Sequence, residues 1–128
     1  MRPETVRDSL EIPADTVLVA LGVNDIAQKT PMDVFRDRTR QVLEMLDKFP
    51  GRSFIVTPIS STREDLLAGI ECIAEIIRDE HKKFPRVKLI EGRSFFPADD
   101  ELLCDKLHPN DKGMALYGKA LTEAILNA

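Results

Sequence analysis

Cysteine occurs only twice, at Cys72 and Cys104. Two isolated cysteines exclude a disulfide framework and a CxxC metal site, and they fit a reducing compartment. No stretch approaches the roughly 18 consecutive apolar residues of a membrane span. The opening Met1-Arg2-Pro3-Glu4-Thr5-Val6 has no apolar core of a secretion signal. The expectation is a cytoplasmic chain with no membrane partner. Positive charge is in the minority, with 18 Lys and Arg against 22 Asp and Glu, a net charge of −4 and a pI near 5.2. The basic footprint of a nucleic-acid binder is therefore missing. There is no glycine-rich phosphate loop, which argues against a phosphate-binding or flavodoxin-like regulator. Repeats, low-complexity tracts and long linkers are also lacking. What remains is 128 residues with 43% hydrophobic and 31% charged side chains, the mix of one globular domain over 1–128.

Three apolar runs read as strands. Thr16-Val17-Leu18-Val19-Ala20-Leu21-Gly22 is continuous, branched and bounded by Pro13 and Gly22, the signature of a strand buried on both faces. Ser53–Thr57 is the second, stopped by Pro58, and Val87–Glu91 the third. Between them lie helical patterns. Thr30 is read as a cap with Pro31 at the first helical position, followed by Phe35, Val42, Leu46 and Phe49 at helical spacing and stopped by Pro50-Gly51. A longer helix runs from about Arg63 to Lys83 with the stripe Leu66, Ile70, Ile73, Ile77 and a charged end. A loop covers Gly92–Pro109. A last helix covers about Asn110–Leu126 with Met114, Tyr117, Leu121 and Ile125 on one face. Strand and helix alternate, which implies an α/β fold with a parallel sheet and right-handed crossovers. In such sheets active groups gather at the carboxyl ends of the strands.

Two motifs stand there. Gly22-Val23-Asn24-Asp25 follows the first strand. Gly22 permits a sharp exit from the sheet, and Asn24 offers a neutral amide donor suited to a developing oxyanion; the same residues also serve as plain turn chemistry. Asp105-Lys106-Leu107-His108-Pro109-Asn110-Asp111-Lys112-Gly113 follows the third strand. Here Asp105 can bind one imidazole nitrogen of His108 and leave the other free as a base. Pro109 fixes the backbone, and Asn110 or Asp111 can cap the next helix. A capping loop with a surface histidine is the competing reading.

Taken together, the G-x-N-D and D-x-x-H-P blocks resemble the SGNH hydrolases, the GDSL-like lipase/acylhydrolase family, over about Ala14–Leu126. The resemblance implies a three-layer α/β fold with a flavodoxin-like parallel sheet, here holding three strands. It implies acyl transfer from an ester by a serine, followed by hydrolysis, with His108 as base and acid, Asp105 as its orienting partner and Asn24 as an oxyanion donor. Gly22, Asp25, Pro109 and Asn110 support the motifs. No metal or organic cofactor is implied, and the substrate would be a small acyl ester such as acetyl on a sugar.

The family's Gly-Asp-Ser block and its second, glycine-bearing block are missing. Too few residues precede Gly22 for two crossover units of about thirty residues each. The expectation is the carboxyl-terminal portion of the family's usual domain. Arg7-Asp8-Ser9-Leu10 resembles the missing block, but Ser9 precedes the first strand and should lie ~20 Å from its carboxyl end, outside reach of a base. Ser60 and Ser61 follow the second strand at the correct edge, without a nucleophile elbow, and read as helix caps. Cys104 reads as a small buried residue, and His81 as a helix-end histidine at the core margin. An inactive SGNH-like fragment or binding module is the alternative function. In the family's strand order the Thr16–Leu21 strand would be left as a bare edge, which invites pairing with a second copy unless a further segment covers it.

Overall fold

The alternation of apolar side chains sorts each strand onto two helical layers. In the computed structural model, which describes residues 1–128, the elements are α1 (Pro3–Ser9), β1 (Thr16–Ala20), α2 (Val23–Ala27), α3 (Met32–Lys48), β2 (Arg52–Val56), α4 (Glu64–His81), β3 (Lys88–Ile90), α5 (Gly92–Phe95), a 3₁₀ turn at Asp100–Leu102, and α6 (Asp111–Leu126). The sheet is parallel in the order β1-β2-β3, with Val19 opposite Ile55 and Ile55 opposite Leu89. Val17, Val19, Ile55 and Leu89 face α3 and α4. Leu18, Phe54, Val56 and Ile90 face α6. Two helices against one face and one against the other make the three layers.

The first face holds most of the core. Phe35, Val42, Leu43 and Leu46 of α3 meet Ile73, Ile76 and Ile77 of α4 beneath the sheet, all nearly or fully buried. The α6 face is thinner. Leu121, Ala124 and Ile125 are only partly buried there, and Met114 is 54% exposed. The stripe read on this helix is therefore a half-covered face.

Several expectations are corrected. β1 is not buried on both faces: it lies at the sheet edge and only Val19 is buried. Strand β2, in the centre, has the continuous burial expected of an apolar run. Pro31, not Thr30, occupies the N-cap of α3, because the Thr30 N–H closes the preceding turn onto the Asp25 carbonyl at 2.9 Å. The segment from Gly92 to Pro109 is not plain loop; it contains α5, the 3₁₀ turn and a Leu103–Pro109 bridge. At the charged end of α4, Glu80 is 2% exposed and accepts from Arg36 and Lys83 at 3.0 Å each. His81 does sit at the core margin, its Nε2 2.6 Å from the Val87 carbonyl. No helix is long and apolar enough to cross a membrane.

Candidate active site

Two residues after β1 the chain turns at Gly22, whose φ of +127° is a conformation open to glycine and strained for other residues. A Cβ there would also press to 2.8 Å from Ile73 Cγ2. This turn starts the short helix α2, which was not legible as an element, and carries Asn24 at its first turn. Asn24 is exposed and its side-chain amide makes no hydrogen bond within the chain. Asp25 points the other way. It is 1% exposed and accepts from the α-ammonium of Met1 at 2.6 and 2.7 Å, with Arg38 at 4.0 Å.

The second motif folds as a closed turn. Asp105 Oδ1 accepts from the Leu107 N–H at 3.1 Å and the His108 N–H at 2.6 Å, the short-range habit of an Asx turn. The base of the turn is tied by the Cys104 N–H to the His108 carbonyl at 2.9 Å and by the Leu103–Pro109 bridge. Asn110 then caps α6, its Oδ1 accepting from the Gly113 N–H at 2.9 Å, while its Nδ2 donates to the Glu101 carbonyl at 2.7 Å. Asp111 is the first helical residue and not the cap.

Within this turn Asp105 Oδ2 lies 2.6 Å from His108 Nδ1. The His108 amide, the His108 ring and the Leu107 amide hold the Asp105 carboxyl down at about 2, so it is ionised at any working pH and can only accept. Nδ1 must therefore carry the shared hydrogen. The Nε2 lone pair of the neutral ring is then directed away from Asp105. It makes no bond within the chain, on a side chain 66% exposed. This is the tautomer that a general base requires.

The direction of the Asp105 shift fixes its acid behaviour. A depressed carboxylate stabilises the turn above its unfolded pKa of about 3.9, and that contribution fades as pH falls through about 2. The Asp105 carboxyl ¹³C resonance should accordingly stay at its ionised position from pH 7 to pH 4. A midpoint near 4 would show that the pair is not formed.

A cavity of about 340 Å³ opens at this edge of the sheet. Gly22 and Asn24 from the first motif, Pro109 from the second, Thr57 and Ile59 after β2, and Tyr117 of α6 line it. His108 directly precedes Pro109 in the chain but is not itself among the residues that line the cavity. Tyr117 packs on Phe95 and Phe96, with ring centroids 5.6 and 6.5 Å away, and burial pushes its phenol up, keeping it a neutral donor. Thr57 and Tyr117 were not singled out beforehand. One ends a strand and the other lies on a helical stripe, so each looks like core in sequence.

The remaining candidates fall elsewhere. Ser9 ends α1, its Oγ donating to the Thr5 carbonyl at 2.8 Å. Ser60 and Ser61 line a different hollow, with Glu71 and Arg93. Neither caps α4, whose N-cap is Arg63; Ser61 instead accepts from the Arg63 N–H at 3.0 Å and donates to the Lys106 carbonyl at 2.6 Å. Cys104 is exposed, not buried. No three His, Cys, Asp or Glu side chains converge on a point that could hold a metal ion.

The model of the GDSL-like lipase/acylhydrolase family matches residues 1–116. Among solved structures, a carbohydrate esterase family 3 protein from Talaromyces cellulolyticus is 17% identical with a TM-score of 0.73, covering 98% of this chain and 66% of its own. A member of the lipolytic G-D-S-L family from Veillonella parvula is 14% identical with a TM-score of 0.76, over 98% of this chain and 73% of its own. An acetyl esterase, solved as a serine-to-alanine variant with an acetate ion, is 16% identical with a TM-score of 0.74, over 98% and 66%. The chain thus spans about two thirds of the length of the first and third of these. Comparison with the curated proteins gives no match. The family match covers both strand-end motifs and the sheet between them, and the chain belongs to the GDSL-like lipase/acylhydrolase family.

Proposed function

We propose that the chain supplies the acid–base and oxyanion groups of a serine ester hydrolase. His108 takes the proton from the attacking hydroxyl and returns it to the leaving alcohol. Asp105 holds the ring and balances the imidazolium that forms. Asn24 donates to the oxyanion of the tetrahedral intermediate. The observation that carries this reading is the ionised Asp105 bound to Nδ1 of His108, with Nε2 unbonded. No metal or organic cofactor enters the scheme.

The substrate in this reading is a small acyl ester such as acetyl on a carbohydrate. The modest cavity supports it, as do the printed identities of a carbohydrate esterase and an acetyl esterase among the similar folds. None of Ser9, Ser60 and Ser61 is among the residues that line the cavity, which supports a nucleophile other than these three. That same observation favours the second reading, a module that binds an ester without turning it over. Hydrolysis of p-nitrophenyl acetate decides between them. A rate above that of buffer, removed by His108→Ala, supports the acid–base role; a rate indifferent to the substitution, or no rate even in a protein that carries a serine nucleophile at the cavity, supports the binding module.

The outer edge of β1 has no strand partner. Its free N–H and C=O groups support self-association through Thr16–Leu21. Light scattering after size exclusion should give twice the chain mass of 14.4 kDa; a clean monomer at micromolar concentration would sink the idea.

A further inference from the structure

Lys106 stands between the two members of the pair with φ +66°. A residue with a Cβ occupies this left-handed region at a cost, and holds it only where the surroundings dictate it. The peptide unit joining Lys106 to Leu107 is gripped from both sides. Its N–H donates to Asp105 Oδ1 at 3.1 Å. Its carbonyl accepts from Ser61 Oγ at 2.6 Å and from the Thr62 N–H at 3.0 Å. Ser61 is 2% exposed, and its oxygen already accepts from the Arg63 N–H at 3.0 Å. Its single hydrogen is therefore committed to Lys106. A carbonyl fixed by two donors sets the plane of the peptide, and the plane sets where the Leu107 N–H aims.

We infer that Ser61 is a positioning residue for the Asp105–His108 pair, its buried hydroxyl clamping the Lys106 carbonyl so that the intervening turn stays left-handed. The clamp reaches from the loop after the central strand β2 to the loop after β3, and thereby ties the pair to the middle of the sheet. The inference rests on the acid–base role proposed for His108, but the geometry it explains exists without that role. The charged groups acting on Asp105 are His108 itself and Arg63, whose guanidinium feels the Asp105 carboxylate while bound to Asp65.

The test reads Asp105 directly. In Ser61→Ala the Lys106 peptide relaxes and Asp105 loses part of its donor set. Its carboxyl ¹³C midpoint should rise from about 2 by roughly one unit, towards the ordinary carboxylate value. Where ester hydrolysis is measurable, kcat should fall about tenfold with KM unchanged, as expected when a catalytic group is misplaced. Adding Lys106→Gly should restore both, because glycine holds the left-handed conformation without a clamp. Ser61→Cys keeps the volume with a weaker donor and should move the midpoint the same way by less, so the reading survives if the alanine variant does not fold. An unmoved midpoint in either folded variant overturns the inference, and so does a shift that Lys106→Gly fails to reverse. A shift that reverses, in a protein that cleaves no ester, upholds the clamp and defeats only the hydrolase reading.

Discussion

Under the proposed acid–base role, His108→Ala should lower kcat/KM for p-nitrophenyl acetate by three to four powers of ten wherever a serine nucleophile completes the site. On the 128-residue chain it should remove whatever hydrolysis exceeds the buffer rate. The size follows from what one side chain does. In the proposed scheme His108 deprotonates the nucleophile and then protonates the leaving group, and no other unbonded base stands at the turn. The fold should not suffer, because the ring is 66% exposed and its only side-chain partner is Asp105. Far-UV circular dichroism of the variant should therefore overlay that of the parent. A folded variant that keeps its rate would show that the observed hydrolysis comes from elsewhere on the surface.

Most of the sheet and both strand-end motifs were legible in the sequence, for identifiable reasons. Central β2 has apolar residues on both faces, and a buried apolar run can hardly be anything but a strand there. Asp105 and His108 were legible as a pair because a three-residue spacing before a capped helix leaves them little choice. The edge position of β1 followed from the strand order that the family resemblance implies, but its burial did not: Val17, Leu18 and Val19 look like a buried strand, and with a neighbour on one side only, Leu18 is half-covered. Helix α2 was missed because five residues starting at a positive-φ glycine have no room for a helical period. Cys104 was misplaced because an apolar-looking residue beside a loop carries no sign of which way it turns; here the Asx turn of Asp105 leaves it outside. Ser61 was noticed as a serine at the correct edge, but its true partner, the Lys106 carbonyl, is 45 residues away in sequence. Contacts between two loops leave no periodic trace.

Gly113→Ala should destabilise the protein by about 3 kcal/mol, the upper range for forcing atoms into a packed site. Glycine here has no special φ; the constraint is space. A Cβ would stand 2.2 Å from the Leu102 carbonyl oxygen and 3.0 Å from Pro109 Cβ. The first of these is backbone and cannot swing aside. Helix α6 would have to lift from the 3₁₀ turn, and the lift strikes three bonds at once. The Gly113 N–H caps onto Asn110 at 2.9 Å, the Asn110 N–H binds the same Leu102 carbonyl at 2.9 Å, and the Asn110 amide binds Glu101 at 2.7 Å. Since Pro109 and Asn110 directly follow His108, the damage should reach the pair as well. Thermal unfolding should show a midpoint lower by roughly 10 °C for a domain of this size. Gly118, on the same helix, is the control: a Cβ there meets nothing within 4 Å, and alanine at an open helical position gains about 1 kcal/mol in propensity. Opposite signs at two glycines five residues apart would establish that close approach to Leu102, and not glycine's flexibility, is why the D-x-x-H-P block is followed by Gly113. Equal effects at the two positions would refute it.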